Sequence, residues 1–226
     1  MGDSLKSAMP ATPDGTERSV RDVFERAASG FVEVVSSLHD PDWARPALGA
    51  WDVRALVGHT SRALLTVEAY LAKGGGAPQL TDPIGYFLAV LPDPSDPEQR
   101  ARQDAAIAQR GQQSGAELGK DPAGAVIQLA ERVLDLVHSS AANAPLDTPA
   151  GTMTLSSYLP TRSFELTVHT LDLARAVDLP TPAVLAPAVS AACELAGRLA
   201  ARRSNAADIL LGVLGREIPP ESRSAL

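Results

Sequence analysis

The chain has 226 residues with 20 Lys+Arg against 27 Asp+Glu, a net charge of −7, which is long enough for a domain that holds its own core without disulfides or a structural metal. An acidic chain with no basic run excludes a nucleic-acid binder, because phosphate contacts need clustered cations. The single Cys193 excludes an intramolecular disulfide framework and a cysteine-based zinc ribbon, and 4% aromatics exclude stacking platforms for bases or sugars.

Met1 to Gly15 is polar, carries Pro10 and Pro13 and has no apolar h-region, so it reads as a disordered N-terminal segment (1–15) and as neither signal peptide nor anchor. No apolar stretch approaches the roughly 18 residues of a spanning helix, and the expectation is a soluble, cytoplasmic protein with no membrane partner. From Thr16 the apolar residues Val20, Val23, Phe24, Ala27, Phe31, Val34 and Val35 recur at helical spacing to about Leu38. A loop, His39 to Ala50, follows. Asp52 is placed to cap a helix from Val53 to about Lys73, stopped by Gly74-Gly75-Gly76. Asp82-Pro83 opens a short apolar helix, Ile84 to Leu91, broken by Pro92, Pro94 and Pro97. A polar, Gln- and Arg-rich helix covers Glu98 to Leu118, and Asp121-Pro122 starts another that ends near His138. After a Pro-rich loop, Ala144 to Gly151, Thr154 caps a helix to about Val177, with Pro160 kinking it or marking its start. Thr181-Pro182 caps a helix to about Arg203, and a short one, Ala206 to Leu214, precedes a Pro-Pro tail. No strand pattern stands out beyond a short extended segment at Pro149 to Leu155. The whole predicts an all-α bundle over 16–203, followed by a short C-terminal helix and tail over 204–226.

Four histidines are the scarce, chemically useful residues. His59 shares an apolar helix side with Leu56, Ala63 and Tyr70, where a histidine taken alone is more often a hydrogen-bonded core residue than a metal ligand. Glu165 and His169 are four apart and so project from one face about a turn from each other. Tyr158, Arg162 and Asp172 extend that stripe, flanked by Phe164, Leu166, Val168, Leu171 and Leu173. A helix that apolar is buried, and its polar stripe then needs partners. A divalent cation supplies one, and helix-borne carboxylate and histidine ligands are an established way to build such a site in a bundle. Two nitrogens and one carboxylate leave an open position on Zn²⁺, the mark of a catalytic site. Asp172 is placed to orient the His169 imidazole. Arg162, with Tyr158, is placed to meet an anionic substrate group.

The stretch Trp51-Asp52-Val53-Arg54-Ala55-Leu56-Val57-Gly58-His59 resembles the W-x-V-R-x-L-x-x-H motif of DinB-like helical bundles, and more specifically the metal-binding domain of mycothiol-dependent maleylpyruvate isomerases. Glu165-Leu166-Thr167-Val168-His169-Thr170-Leu171-Asp172-Leu173-Ala174 resembles that family's E-x-x-x-H-x-x-D-L-A segment. The resemblance implies a DinB-like four-helix bundle with additional short helices, holding a divalent metal, usually zinc, through His59, Glu165 and His169. It also implies mycothiol as co-substrate. The expected activity is that of an S-transferase or thiol-assisted isomerase acting on a small electrophile, with the reactive sulfur delivered from outside. The isomerases proper carry a further C-terminal domain that supplies an arginine. Only Ser204 to Leu226 follow the bundle here, with Arg216 and Arg223 among them, so the expectation is an activity other than maleylpyruvate isomerisation itself. Two alternatives stay open: a related metalloenzyme using metal-bound water for hydrolysis or cyclisation, and a non-catalytic metal-binding stress or binding module. Exposed helix faces leave room for a homodimer.

The remaining candidates read as structural. Trp51 staples the start of its helix into the core. His138 suits a helix end, His39 lies in a polar loop, and Cys193 reads as a small buried hydrophobe.

Overall fold

The computed structural model describes residues 15–91, 96–202 and 206–219. The elements are α1 (Gly15–Ser36), β1 (Pro46–Leu48), β2 (Trp51–Asp52), α2 (Val53–Lys73), α3 (Pro83–Val90), α4 (Pro97–Glu117), α5 (Pro122–Ser139), β3 (Pro145–Thr148), β4 (Gly151–Thr154), α6 (Leu155–Ala176), α7 (Ala186–Ala200) and α8 (Ala206–Val213). The architecture is the all-α, DinB-like bundle expected. Helices α1, α2, α5 and α6 enclose the core, α4 lies along α2, and α3 and α7 pack on α6. The expected disorder of Met1–Gly15, apart from its last residue, lies outside the described residues, as do Pro92, Pro94 and Arg223.

The helix-start signals work through side-chain oxygens that take up otherwise unpaired N–H groups. Asp52 accepts from the Ala55 amide at 2.8 Å, Asp121 from that of Gly124 at 2.9 Å, and Thr154 from that of Ser157 at 3.2 Å. Asp82 departs from the expectation, since its carboxylate takes Arg198 at 2.9 Å in place of a backbone amide. Thr181 caps nothing: α7 is entered through a 3₁₀ turn, Ala183–Leu185, with Pro187 in its first turn. Pro160 lies inside α6 and does not mark its start.

Two small antiparallel hairpins stand where loops were expected, and β4 falls within the expected extended segment Pro149–Leu155. In the first, Leu48 pairs with Trp51 and Pro46 with Asp52. In the second, Leu146 pairs with Met153 and Asp147 with Thr152. Each leads straight into a long helix, so each sets the starting position of a helix that carries site residues. The second also pins the far end of α2, with the Asp147 amide on the Gly74 carbonyl at 3.0 Å and Lys73 on the Asp147 carboxylate at 2.6 Å.

Helices α2 and α6 run antiparallel. The pairing of His59 with His169 (ring centroids 4.8 Å apart) and of Tyr70 with Tyr158 (5.8 Å) fixes their direction. On its other side α2 meets α4 at a crossing with no room for side chains. A Cβ on Gly58 would stand 2.1 Å from the Gly115 nitrogen, and one on Gly115 would stand 2.7 Å from the Arg54 carbonyl oxygen. Only glycine permits that approach.

Among the described residues, Ala183–Ala200 is one helical stretch whose length and mean hydropathy, 1.3 over 18 residues, would suffice to cross a membrane, contrary to the sequence expectation. Its hydropathy comes largely from alanine, and Leu185, Ala188, Leu195 and Leu199 bury one side of it against the bundle. Cys193 is exposed on the other side of α7 and is not the buried hydrophobe expected.

Candidate metal centre

Helices α2 and α6 bring His59, Glu165 and His169 together, and one ligand atom from each lies within 4.8 Å of the other two. The interior around them is otherwise closed. The buried hydroxyls of Thr60, Ser61, Ser163, Thr167 and Thr170 each return to the carbonyl one turn back. Among the described residues, the buried side-chain polar atom left without a hydrogen bond is His59 Nδ1. Buried polar groups are nearly always satisfied, so this nitrogen marks a place where the protein alone is incomplete.

His169 is held from both ring nitrogens. Nδ1 faces Asp172 Oδ2 at 3.2 Å and Nε2 faces Glu165 Oε2 at 3.4 Å. Burial would lower its pKa, but hydrogen bonds to Asp172 and Glu165 win and raise it to about 9. Burial would likewise raise Glu165, yet the His169 hydrogen bond and the Arg162 charge hold its carboxyl down at about 2. His59 goes the other way: burial, reinforced by the His169 charge, lowers it to about 4. Near neutral pH the cluster is therefore a neutral imidazole, an imidazolium and a carboxylate, with Asp172 behind. Arg62 and Arg110 add positive charge around His59.

Trp51 does staple the start of α2, being buried, and it also reaches the site. Its ring lies 4.5 Å from that of His59, tilted by 33°, and its Nε1 donates to the Ala108 carbonyl on α4 at 2.9 Å. Gly111 makes room for it, since a Cβ there would fall 2.6 Å from the indole. Hairpin, indole and α4 glycine thus set the position of His59.

The stripe's other end is built differently. Tyr158 is fully buried and donates its hydroxyl to Thr66 Oγ1 at 3.1 Å. Arg162 is 9% exposed, donates from Nε to Thr161 Oγ1 at 3.0 Å and from Nη2 to the Tyr86 hydroxyl at 3.4 Å, and lies over the rings of Tyr158 (5.0 Å) and Tyr86 (5.3 Å). Tyr86, from the short apolar α3, drew no notice in the sequence because nothing in its own segment marks it as polar. The other histidines lie elsewhere, His39 3.6 Å from Asp42 and His138 3.5 Å from Glu25. The neighbours of Arg216 are likewise local, its guanidinium donating to the Leu214 carbonyl.

Comparison with known proteins adds one finding. The family model described as the mycothiol maleylpyruvate isomerase N-terminal domain matches residues 24–174, which include Trp51, His59, Arg162, Glu165, His169 and Asp172. No curated protein and no solved structure matches the chain. With two thirds of its length matched, the chain belongs to the mycothiol maleylpyruvate isomerase N-terminal domain family.

Proposed function

We propose that the chain binds a divalent metal ion, zinc by its donor set, through His59, Glu165 and His169, and that it works with mycothiol as an S-transferase or thiol-assisted isomerase on a small electrophile. One observation carries this reading: three donors from two antiparallel helices converge within 4.8 Å, and among the described residues the other buried side-chain polar atoms are satisfied. The donors suit the ion. Two imidazoles and a carboxylate are the ligand types and number of catalytic zinc sites. His59 is neutral at physiological pH and Glu165 is ionised, so both present free lone pairs. A zinc ion with bonds near 2.0–2.1 Å keeps tetrahedral ligand atoms about 3.4 Å apart, the separation already present between His169 Nε2 and Glu165 Oε2, 3.4 Å.

When bound, such an ion supplies Lewis acidity, lowering the pKa of a thiol in its open position toward neutrality. The protein's residues do the rest. Asp172 takes the His169 Nδ1 proton into a hydrogen bond, which turns Nε2 toward Glu165 and fixes the tautomer. Trp51 holds the His59 ring in place through the α2–α4 crossing. A thiolate so generated would add to one carbon of an electron-poor double bond, whose π pair would move onto the activating group. Protonation of that carbanion with the C–S bond kept would be transfer, whereas rotation about the new single bond and return of the pair to expel the thiolate would be isomerisation. The thiol's identity rests on the family match, and a reaction that consumes a reduced thiol suits a reducing compartment, so we place the protein in the cytoplasm.

Thermal unfolding of the zinc-loaded protein with added mycothiol tests this. A saturable rise in Tm in the wild type, absent in His169→Ala, is expected. No rise in the wild type at millimolar thiol contradicts the thiol reading and leaves metal-bound water as the reagent.

A further inference from the structure

Helix α8 is eight residues long, and none of them is buried. Ala207, Leu210, Leu211 and Leu214 stand at positions i, i+3, i+4 and i+7, the spacing of a helix face that packs on a neighbour. Leu214 belongs to that face because its amide bonds to the Leu210 carbonyl at 3.2 Å and continues the turn. The face is open: Leu210 is 61% exposed, Leu211 43% and Leu214 57%. Another side of α8 is already covered, since Ile218 folds back onto Gly212, where a Cβ would fall 2.7 Å from its side chain. A helix this short is marginal in water on its own, and a contiguous apolar face on a small domain marks an interaction site.

A surface that fits this face lies on the same chain. Helices α1, α6 and α7 leave a groove of about 220 Å³, lined by Val20 and Val23, by Phe164, and by Ala191, Ala192 and Leu195. From Ala188 to Arg198 the groove follows α7 for about 15 Å, and α8 is about 12 Å long. The small alanines leave space that leucines can fill. At the rim, Arg198 is taken by Asp82 at 2.9 Å, whereas Glu194 has no ion pair among the described residues. Arg216, just past the α8 face, has none either, and its guanidinium donates to the Leu214 carbonyl. The single chain does not join the two surfaces. The Ala201 and Arg202 amides bond to the Gly197 and Leu199 carbonyls at 3.0 Å, which carries the chain onward past the end of the groove at Arg198.

We propose that the partner is a second copy of this chain, with α8 of each copy lying in the α1–α6–α7 groove of the other in a reciprocal twofold dimer. The mode is an apolar helix face laid into an apolar groove. Twofold symmetry makes the contact twice, which doubles the apolar area removed from water. Arg216 of one copy meets Glu194 of the other, and this exposed pair sets the direction of the helix in the groove more than it adds affinity. None of the metal-centre residues lines the groove, so the proposal stands apart from the metal reading.

Sedimentation velocity of the full-length protein across micromolar concentrations tests this. The wild type is expected to pass from monomer to dimer. Leu210→Asp combined with Leu214→Asp on α8, and Ala191→Asp in the groove, should each weaken the dimer at least about tenfold by placing charge in an apolar contact. Circular dichroism should show the bundle unchanged. Glu194→Arg and Arg216→Glu should each weaken it severalfold, and the two together should restore it. Cross-linking then identifies the paired surfaces: Ala191→Cys and Leu211→Cys, each on a Cys193→Ser background, should form a disulfide under mild oxidation when mixed and none when kept apart. A wild type that stays monomeric overturns the proposal, whether α8 is free or seated in its own groove. So does a dimer indifferent to Ala191→Asp, or a Leu211→Cys protein that cross-links to itself, which would set α8 against α8. If Ala191→Asp does not fold, absence of the mixed disulfide overturns it instead.

Discussion

The polar stripe of α6 has two halves that treat charge in opposite ways. From Glu165 to Asp172 each charge faces an opposite one: His169 lies between two carboxylates, 3.4 Å from Glu165 and 3.2 Å from Asp172, with neutral His59 alongside. From Tyr158 to Arg162 a full cation sits among rings and hydroxyls with no anion within ion-pair reach. With His169 protonated and His59 neutral, the two carboxylates outweigh the one imidazolium by a single negative charge, and the Arg162 cation one turn along acts on Glu165 as its counterpart. The second half has no direct ion pair, and its nearest counter-charge is Glu165, a turn along. One helix therefore carries a hydrogen-bonded charge cluster and a ring-enclosed cation a turn apart.

The largest expected effect comes from removing the centre of the paired half. Glu165→Ala should abolish tight metal binding, lowering affinity by more than about a hundredfold, beyond the loss typical of outer partners, as measured by competition with a chromophoric chelator. Far-ultraviolet circular dichroism should still report a helical bundle. Asp172→Asn keeps every ligand but weakens the acceptor that orients His169, and the same competition should show a loss of about 10- to 100-fold. If Asp172→Asn matched wild type, the paired half would owe nothing to that carboxylate.

Gly111→Ala acts at a distance. Its new Cβ, 2.6 Å from Trp51, must push the indole that rests on His59. Urea unfolding should show a loss of about 1–3 kcal/mol, the usual cost of overpacking. Gly197→Ala on α7, where a Cβ meets nothing within 4 Å, should instead gain about 0.5–1 kcal/mol.

The smallest effects are those of pH. His59 is lowered to about 4 by burial, so metal-free protein should lose stability as pH falls from 6.5 toward 4, where the unfolded chain takes up a proton that the folded one refuses. His169 is raised to about 9, so its stabilisation is fully present below 6.5 and disappears as pH rises through 9. Glu165, held down at about 2, contributes above 4.5 and loses its share as pH falls toward 2. Metal competes with the His169 proton, so apparent affinity should rise with pH up to about 9, by at most about tenfold per unit. Thermal melts and chelator competition across that range separate the two signs.

Much of this was legible in the sequence, and the rest was not for physical reasons. Helices announced themselves through periodic apolar residues and through Asp52, Asp121 and Thr154, whose oxygens take up the first free amides. The pairing of Glu165 with His169 and of His169 with Asp172 follows from spacings of four and three on one helix face. Of the two hairpins only β4 was foreshadowed, by the extended segment Pro149–Leu155; the other strands escaped notice because all are four residues or shorter, too short for alternation to be read. The α2–α4 crossing was invisible because Gly58, Gly111 and Gly115 are informative only once another backbone or ring lies against them. Arg162 was visible as part of a stripe. Its lack of a direct ion pair among the described residues, and the arrival of Tyr86 from α3 and Tyr70 from α2, needed the tertiary structure.

The most direct test of the central claim is metal content by inductively coupled plasma mass spectrometry, on wild type and His169→Ala reconstituted side by side with zinc and desalted. The account predicts close to one zinc per wild-type chain and almost none in the variant. Equal, substoichiometric zinc in the two proteins would contradict it.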